Sequence, residues 1–489
     1  MSGSDELDEA IALANSGRSR PATPPAPRLK RIRRIQWADE QAEAAAHGER
    51  AEGTAHTDGA SSSGARRQDR AHTSDSPEGP GRTEEAPTPT WEEARALAAG
   101  AVGALPPTKL PLDRARGHTL AAALEALTDL PSFDTSAMDG WAVSGPGPWE
   151  LARGADGAEA GGLLAGHRGE PRQLADGQAV RIATGARIPA GTSAVLRSEQ
   201  AQLTAKGRLR TDSPPQPGTD IRPRGQECRK GDELLPAGAP VTPAVLGLAA
   251  AAGYDELEVV RRPRAEILVL GDELLHKGRP QDGRIRDALG PMVGPWLEAF
   301  GGDVIVTRRL GDDAEALYEA VATTTADVVV TTGGTAAGPV DHLQPTLRRL
   351  GAELLVRGVR VRPGHPMLLA TLPGADPRGG AYLVGLPGNP LAALSGLVTL
   401  AVPLLRTLAG LPERAVPQAT LGEEVAGHPH DTRLVPVVRE GSGIRARIRP
   451  LRYAGPAMLR GIASADALAA VPPGGAAPGT DVPVLDLPW

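Results

Sequence analysis

The sequence predicts a multidomain α/β plus β protein, in which a doubly wound α/β layer is flanked by small β domains. Three observations predict it. The chain has 489 residues, and at roughly 150 residues per domain that suggests two to four domains. Residues 264–410 alternate short apolar runs with helical periodicity, the pattern of buried parallel strands joined by crossover helices. The flanking regions break into short apolar runs between turns, in a chain holding 60 Gly and 47 Pro.

Composition excludes several functions. Net charge is −6, from 53 basic and 59 acidic residues, which argues against a globally basic nucleic-acid binder. Aromatics at 2% leave too few rings for stacking on single strands. A lone cysteine, Cys228, excludes an intramolecular disulfide framework and any multi-cysteine zinc or iron–sulfur site. The acidic start without an apolar run reads as no secretory signal, and a cytoplasmic location is expected. Residues 379–405 carry no charge and are long enough to span a bilayer. They are interrupted by Pro387, Asn389, Pro390 and Pro403, so a strand, a turn and a buried helix are expected there, with no membrane contact.

In chain order, residues 1–88 read as a disordered tail, too poor in large apolar side chains to offset the entropy of ordering. Its basic patch at 28–34 reads as a solvated charge run. Residues 91–99 read as a helix capped by Thr90. A second helical run is expected at 120–127. Short strands at 178–182 and 193–196 belong to a small Gly-rich β domain. A helix over 243–252 and a strand at 257–260 follow. Strands are then expected at 265–270, 304–307, 327–332 and 382–386. Helices are expected at 292–300, 313–323, 341–350 and 390–408. Beyond 412, short strands suggest another β domain.

The chemistry gathers at the ends of the apolar strands. Val328-Val-Val-Thr-Thr-Gly-Gly-Thr-Ala-Ala-Gly338 is a strand entering a Gly-rich turn before a helix, placing Thr332, Gly333, Gly334, Thr335 and Gly338 where backbone N–H groups can cradle an anion. Tyr382-Leu-Val-Gly-Leu-Pro-Gly-Asn-Pro390 repeats the logic with Gly385, Pro387, Gly388 and Asn389. Two further strands end in acids, at Glu273 and at Asp312–Asp313, and either aspartate of the second pair could simply cap the following helix. Ligands of open α/β sheets bind at this edge. Glu273, Asp312 and Asp341 beside two Gly-rich loops therefore describe a phosphate site with oxygen ligands for Mg2+.

These residues also carry a resemblance. TTGGTAAGPVDH and GLPGNP resemble the molybdopterin-binding domain of the molybdopterin molybdenumtransferases, the MoeA/gephyrin E-domain family. The segment from Asp129 to Val143, with Trp141 for the usual Tyr, resembles the family hallmark. Residues 181–191 resemble a second motif, and Asp220-Ile-Arg-Pro-Arg-Gly225 with Lys230-Gly-Asp232 a third. The match runs from about residue 90 to the C-terminus in the family's order. The resemblance implies a split first domain (89–140 and 220–262) around a β domain (141–219), an α/β molybdopterin-binding domain (263–410) and a C-terminal β domain (411–489). It implies a homodimer acting on adenylylated molybdopterin and molybdate, with Mg2+ as cofactor and AMP as product. It gives roles to Asp139 and Thr184 as contributions from the second subunit; by themselves these read as turn residues.

The chain departs from the family at three places. Arg362-Pro-Gly-His-Pro366 stands where Lys-Pro-Gly-Lys-Pro is common, leaving Arg362 and His365 to meet an oxyanion. Leu289 replaces the Asn that usually ends the segment after Gly283, and Ser193 replaces a usual acid. The alternative to a molybdenum-inserting enzyme is a non-catalytic molybdopterin-binding paralogue, or a carrier or scaffold.

Overall fold

The computed structural model describes residues 87–154, 160–335, 341–374, 380–412, 414–441 and 446–488. The tail reading falls outside them as far as residue 86, as does Gly338.

Helix α1 (Trp91–Gly100) opens with a capping box. The Thr90 hydroxyl accepts from the Glu93 N–H at 3.2 Å and the Glu93 carboxylate accepts from the Thr90 N–H at 2.8 Å, satisfying two otherwise orphaned donors. After α1, strand pairs tie residues 107–136 to residues 221–260. Pro107–Pro111 pairs with Glu256–Val260, Thr135–Ser136 with Ile221–Arg222, and Leu124–Glu125 with Glu233–Leu235. The helical run expected at 120–127 is not formed. Its residues make two short strands, Thr119–Leu120 and Leu124–Glu125. Alanines give this stretch helix propensity, but Leu120 and Leu124 are buried between strands distant in sequence, and that pairing overrides the local preference. Between the two arms lies a six-stranded sheet that includes Gly140–Val143, Gln178–Ile182 and Ala194–Arg197.

The central sheet contains β1 (Arg264–Leu270), β2 (Asp303–Leu310), β3 (Val328–Thr332), β4 (Glu353–Arg357), β5 (Leu368–Thr371) and β6 (Tyr382–Leu386), in spatial order β2-β1-β3-β6-β5-β4. β1 runs parallel to β2 and β3, and β3 to β6. β5 and β4 extend the sheet antiparallel, two strands the sequence reading did not anticipate. Side chains alternate between two cores, as the strand period requires. Ile267, Val269, Val328, Val330 and Val384 pack towards α2 (Leu289–Ala299). Leu268, Val329 and Leu383 pack towards α3 (Ala314–Ala322) and α4 (Leu343–Leu350).

The stretch Pro390–Leu408 has the length and apolarity of a membrane span, yet most of it is buried inside the protein. It comprises α5 (Pro390–Gly396), a π turn at Leu397–Ala401 and α6 (Val402–Leu408). Pro403 explains the π turn, because it lacks an N–H and its ring crowds the carbonyl four residues earlier. Helix α1 lies against this irregularity. The Arg95 guanidinium donates to the Val398 carbonyl, and Trp91 Nε1 donates to Thr399 Oγ1 at 3.1 Å. Burial, helped by the neighbouring Arg406, lowers the Arg95 pKa to about 10. The helix expected to belong with residues up to 140 thus packs on the α/β layer.

The C-terminal sheet recruits Val361–Arg362 as an edge strand, parallel to Thr432–Glu440, with Arg362 opposite Arg433. This junction and the hydrogen bond from the Leu391 N–H to the Pro456 carbonyl at 2.8 Å fix the C-terminal domain against the carboxyl edge of the central sheet.

Candidate active site

The chain leaves β1 for β2 on one side and returns to β3 on the other, so β1 and β3 flank a topological switch point. A cleft of about 550 Å³ opens there. The loops after β1, β2, β3 and β6 all line it, contributing Glu273, Asp312, Thr332, Gly333, Gly334, Asp341, Gly388 and Asn389; Ala457 and Leu459 of the C-terminal domain join them.

Glu273 is aimed by its turn. Gly271 has φ +132°, a backbone conformation that favours glycine, and the Glu273 carboxylate folds back over it, with Oε2 2.4 Å from where a Cβ would lie. The helix-cap alternative resolves between neighbours. Asp313 is the cap of α3, accepting from the Glu315 and Ala316 N–H groups at 2.9 and 3.1 Å. Asp312 lines the cleft with no hydrogen-bond or ion-pair partner among the described residues. No three described His, Cys, Asp or Glu side chains are gathered closely enough to hold an ion by themselves.

The Gly-rich loops divide their labour. The Gly333 N–H donates to the Leu386 carbonyl at 2.8 Å, joining the two loops, so it does not point at a ligand. Gly334, at φ +68°, leaves its N–H without an acceptor among the described residues. Thr335 is buried behind the loop. Gly385 is placed differently from expectation. It sits inside β6, where a Cβ would meet Leu368 Cγ at 2.7 Å and Thr335 Cγ2 at 3.0 Å, and it lines neither cleft. Its glycine serves packing, not close approach of a ligand.

Asn389 also lines a second cleft, of about 320 Å³, with Arg362, Gly364, His365, Pro387 and Arg433. Arg362 Nε donates to Asp431 Oδ2 at 2.8 Å. Burial pushes the Asp431 carboxyl up, but the Arg362 hydrogen bond and the nearby His428 and His365 outweigh it and hold the pKa below the usual value. His365 Nδ1 lies 2.8 Å from the Val359 carbonyl, which can only accept, so Nδ1 carries the proton. Arg433 was missed by the sequence reading. It is 71 positions past Arg362 on a strand of another domain, and only the strand pairing brings it alongside.

Asp139 and Thr184 line neither cleft. They bind each other on the small β sheet. The Thr184 N–H and Oγ1 donate to Asp139 Oδ1 at 2.6 and 2.8 Å.

Comparison with known proteins agrees with this architecture. Residues 89–253 match the MoeA N-terminal region (domain I and II), 266–407 a probable molybdopterin binding domain, and 418–487 the MoeA C-terminal region (domain IV). A molybdopterin molybdenumtransferase of Staphylococcus aureus strain Mu50 is 30% identical over 386 residues, 76% of this chain and 88% of the relative. One from Haemophilus influenzae is 35% identical over 305 residues, 62% of this chain and 72% of the relative. A crystal structure of the molybdopterin biosynthesis moeA protein from Pyrococcus horikoshii shares the fold, with TM-score 0.62 at 20% identity, covering 81% of this chain and 99% of that one. The chain therefore belongs to the molybdopterin molybdenumtransferases, the MoeA family, and is a transferase of molybdenum cofactor biosynthesis.

Proposed function

We propose that this transferase inserts molybdate into adenylylated molybdopterin with release of AMP, acting as a homodimer in the cytoplasm. The observation that carries the reading is the meeting of Glu273, Asp312 and Asp341 with two Gly-rich loops in one cleft at the switch point. In this reading the Gly334 N–H and the neighbouring loop hold the phosphoanhydride. The oxygen donors suit Mg2+, which is held by one or two carboxylates together with substrate phosphate and water, so a closed protein cage is not required. Bound there, the cation would neutralise charge developing on the departing AMP phosphate. Glu273, Asp312 and Asp341 are the residues assigned to hold it.

The adjoining cleft receives the molybdate. Arg362 uses Nε on Asp431, which turns the guanidinium into a fixed fork, and Arg433 adds a second charge. Asp139 and Thr184 reach the phosphate cleft from the second subunit, their mutual hydrogen bonds fixing the carboxylate orientation.

A second reading, a binding protein without turnover, draws on the same cleft. Asp431 offsets the Arg362 charge, and His365 has one ring nitrogen committed to a carbonyl. Molybdate-dependent AMP release from adenylylated molybdopterin by the purified protein decides between them. Release supports the enzyme; tight binding of the substrate without release supports the second reading.

A further inference from the structure

Asp287 is the residue that the mechanism above leaves unused. It precedes α2 in the segment where Leu289 departs from the family pattern, and it lines the phosphate cleft. Its side chain is only 3% exposed. One oxygen is accounted for, since Oδ1 accepts from the Gly290 N–H at 2.8 Å and so helps to start α2. The other, Oδ2, has no hydrogen-bond partner among the described residues. The nearest cation, Arg309 Nε, stands 3.8 Å away, beyond hydrogen-bond reach, on a half-exposed side chain.

The mount is rigid. Residues Leu274–Leu275 and Ile285–Arg286 pair in parallel, the Asp287 N–H donates to the Leu275 carbonyl at 2.9 Å, and the Ile285 N–H donates to the Glu273 carbonyl at 2.9 Å. Asp287 is thereby tied to the turn that carries Glu273. Space for Oδ2 also depends on a glycine, because a Cβ on Gly290 would lie 2.2 Å from it. Capping α2 requires one carboxylate oxygen. A second buried oxygen without a donor is costly, and in a cleft wall it is the complement of a ligand donor.

We propose that Asp287 is a further substrate-binding residue, with Oδ2 accepting a hydrogen bond from an O–H or N–H donor of the nucleotide–pterin substrate. The inference rests on the reading of the cleft given above. Two parts of that substrate carry such donors, the ribose and adenine of the nucleotide half and the amino-pyrimidinone edge of the pterin half.

The test is titration of the full-length protein and its Asp287→Asn variant with AMP, with 2′-deoxy- and 3′-deoxy-AMP, and with molybdopterin under anaerobic conditions. Asparagine keeps an oxygen for the Gly290 N–H and replaces the free acceptor by a donor. Melting temperature is measured alongside, and Asp287→Ser, smaller but still able to accept from Gly290, guards against a folding defect in the first variant. The expected result is affinity for one probe weakened about tenfold or more at an unchanged melting temperature. If the ribose is the source, a deoxy-AMP penalty seen in the unmodified protein disappears in Asp287→Asn; if adenine is the source, AMP and both deoxy analogues weaken alike while molybdopterin binding is unchanged. If the pterin is the source, AMP binding is unchanged and molybdopterin binding falls. Unchanged affinity for every probe overturns the proposal. So does equal weakening for all probes together with a lowered melting temperature, which would leave Asp287 a helix cap only. Failure of the unmodified protein to bind either AMP or molybdopterin would instead sink the reading of the cleft, and this inference with it.

Discussion

Asp341 and His365 pose separable questions about the two clefts. Asp341 follows the first Gly-rich loop and lines the cleft at the switch point, the proposed phosphate site. Asp341→Asn removes a negative charge with little change of shape, so metal-dependent AMP release should be lost while the melting temperature stays near that of the unmodified protein. Release assays across a Mg2+ series, with a parallel thermal melt, check this; undiminished release removes Asp341 from the site. His365 belongs to the second cleft, with Nδ1–H held on the Val359 carbonyl and only Nε2 left for a ligand. His365→Ala should raise the molybdate concentration needed for half-maximal turnover about tenfold, the scale of one charge-assisted hydrogen bond. AMP affinity should not change, because the phosphate cleft keeps its residues. A molybdate titration that is the same for both proteins shows that His365 serves only to pack the loop. Residue identity made Arg362 and His365 visible in the sequence as departures, whereas Arg433 and Asp431 carried no such signal.

Between elements, carboxylates do the joining. Asp129 Oδ1 accepts from the Lys230 N–H at 2.8 Å, and its other oxygen takes the Arg224 guanidinium. The backbone bond from Lys230 and then the Arg224 bond hold its pKa below the ordinary carboxylate value. Asp220 is likewise lowered, first by its hydrogen bond from Arg197, a bidentate contact at 2.7 and 3.0 Å. The sign follows from linkage. A carboxyl depressed in the folded state contributes stability above its unfolded pKa, about 3.9, and loses it as pH falls through the folded value. Stability should therefore be flat in these groups above about pH 5 and decline as pH drops below about 4. Asp129→Asn should be less stable at neutral pH and show a shallower acid decline, read by denaturant titration at several pH values. An unaltered acid slope would mean that the contact with residues 224–230 does not hold these strands together. At this scale the sequence reading succeeded where one local signal stood alone: Thr90 caps α1, and the structure adds Glu93 as its capping-box partner. It could not choose between Asp312 and Asp313 as the cap of α3, and the structure chose Asp313. It failed at 120–127, where alanine-rich propensity pointed to a helix and pairing with residues 233–260 decided for strands.

For the molecule as a whole, one chain holds both halves of the proposed site without bringing them together. Asp139 and Thr184 are outside the clefts that contain Asp341 and Arg362. In a two-fold dimer each site would combine the cleft of one subunit with the Asp139 segment of the other. Asp139→Ala and Asp341→Asn proteins, each inactive alone, should then recover activity when mixed and allowed to exchange subunits. Random exchange makes half the dimers mixed with one intact site in two, so about a quarter of the unmodified activity is expected. No recovery from a mixture shown to contain mixed dimers would confine each site to a single chain.

By itself the sequence determined the doubly wound layer, the loops that meet at its carboxyl edge and the family. These depend on apolar runs, glycines and acids spaced within single βα units, where a short segment carries its own instructions. Tertiary structure alone decided which of those residues face a ligand. Gly333 spends its N–H on Leu386, Gly385 serves packing, and Asp313 caps a helix while Asp312 lines the cleft. It also decided the composition of the second cleft, because pairing Arg362 with Arg433 crosses a domain boundary. The same holds for Asp287, whose Oδ2 is left without a hydrogen-bond donor among the described residues once α2 has claimed the other oxygen. The physical reason is common to all. A backbone or carboxylate group is available to a ligand only if no nearer partner takes it, and most of those partners are far away in sequence.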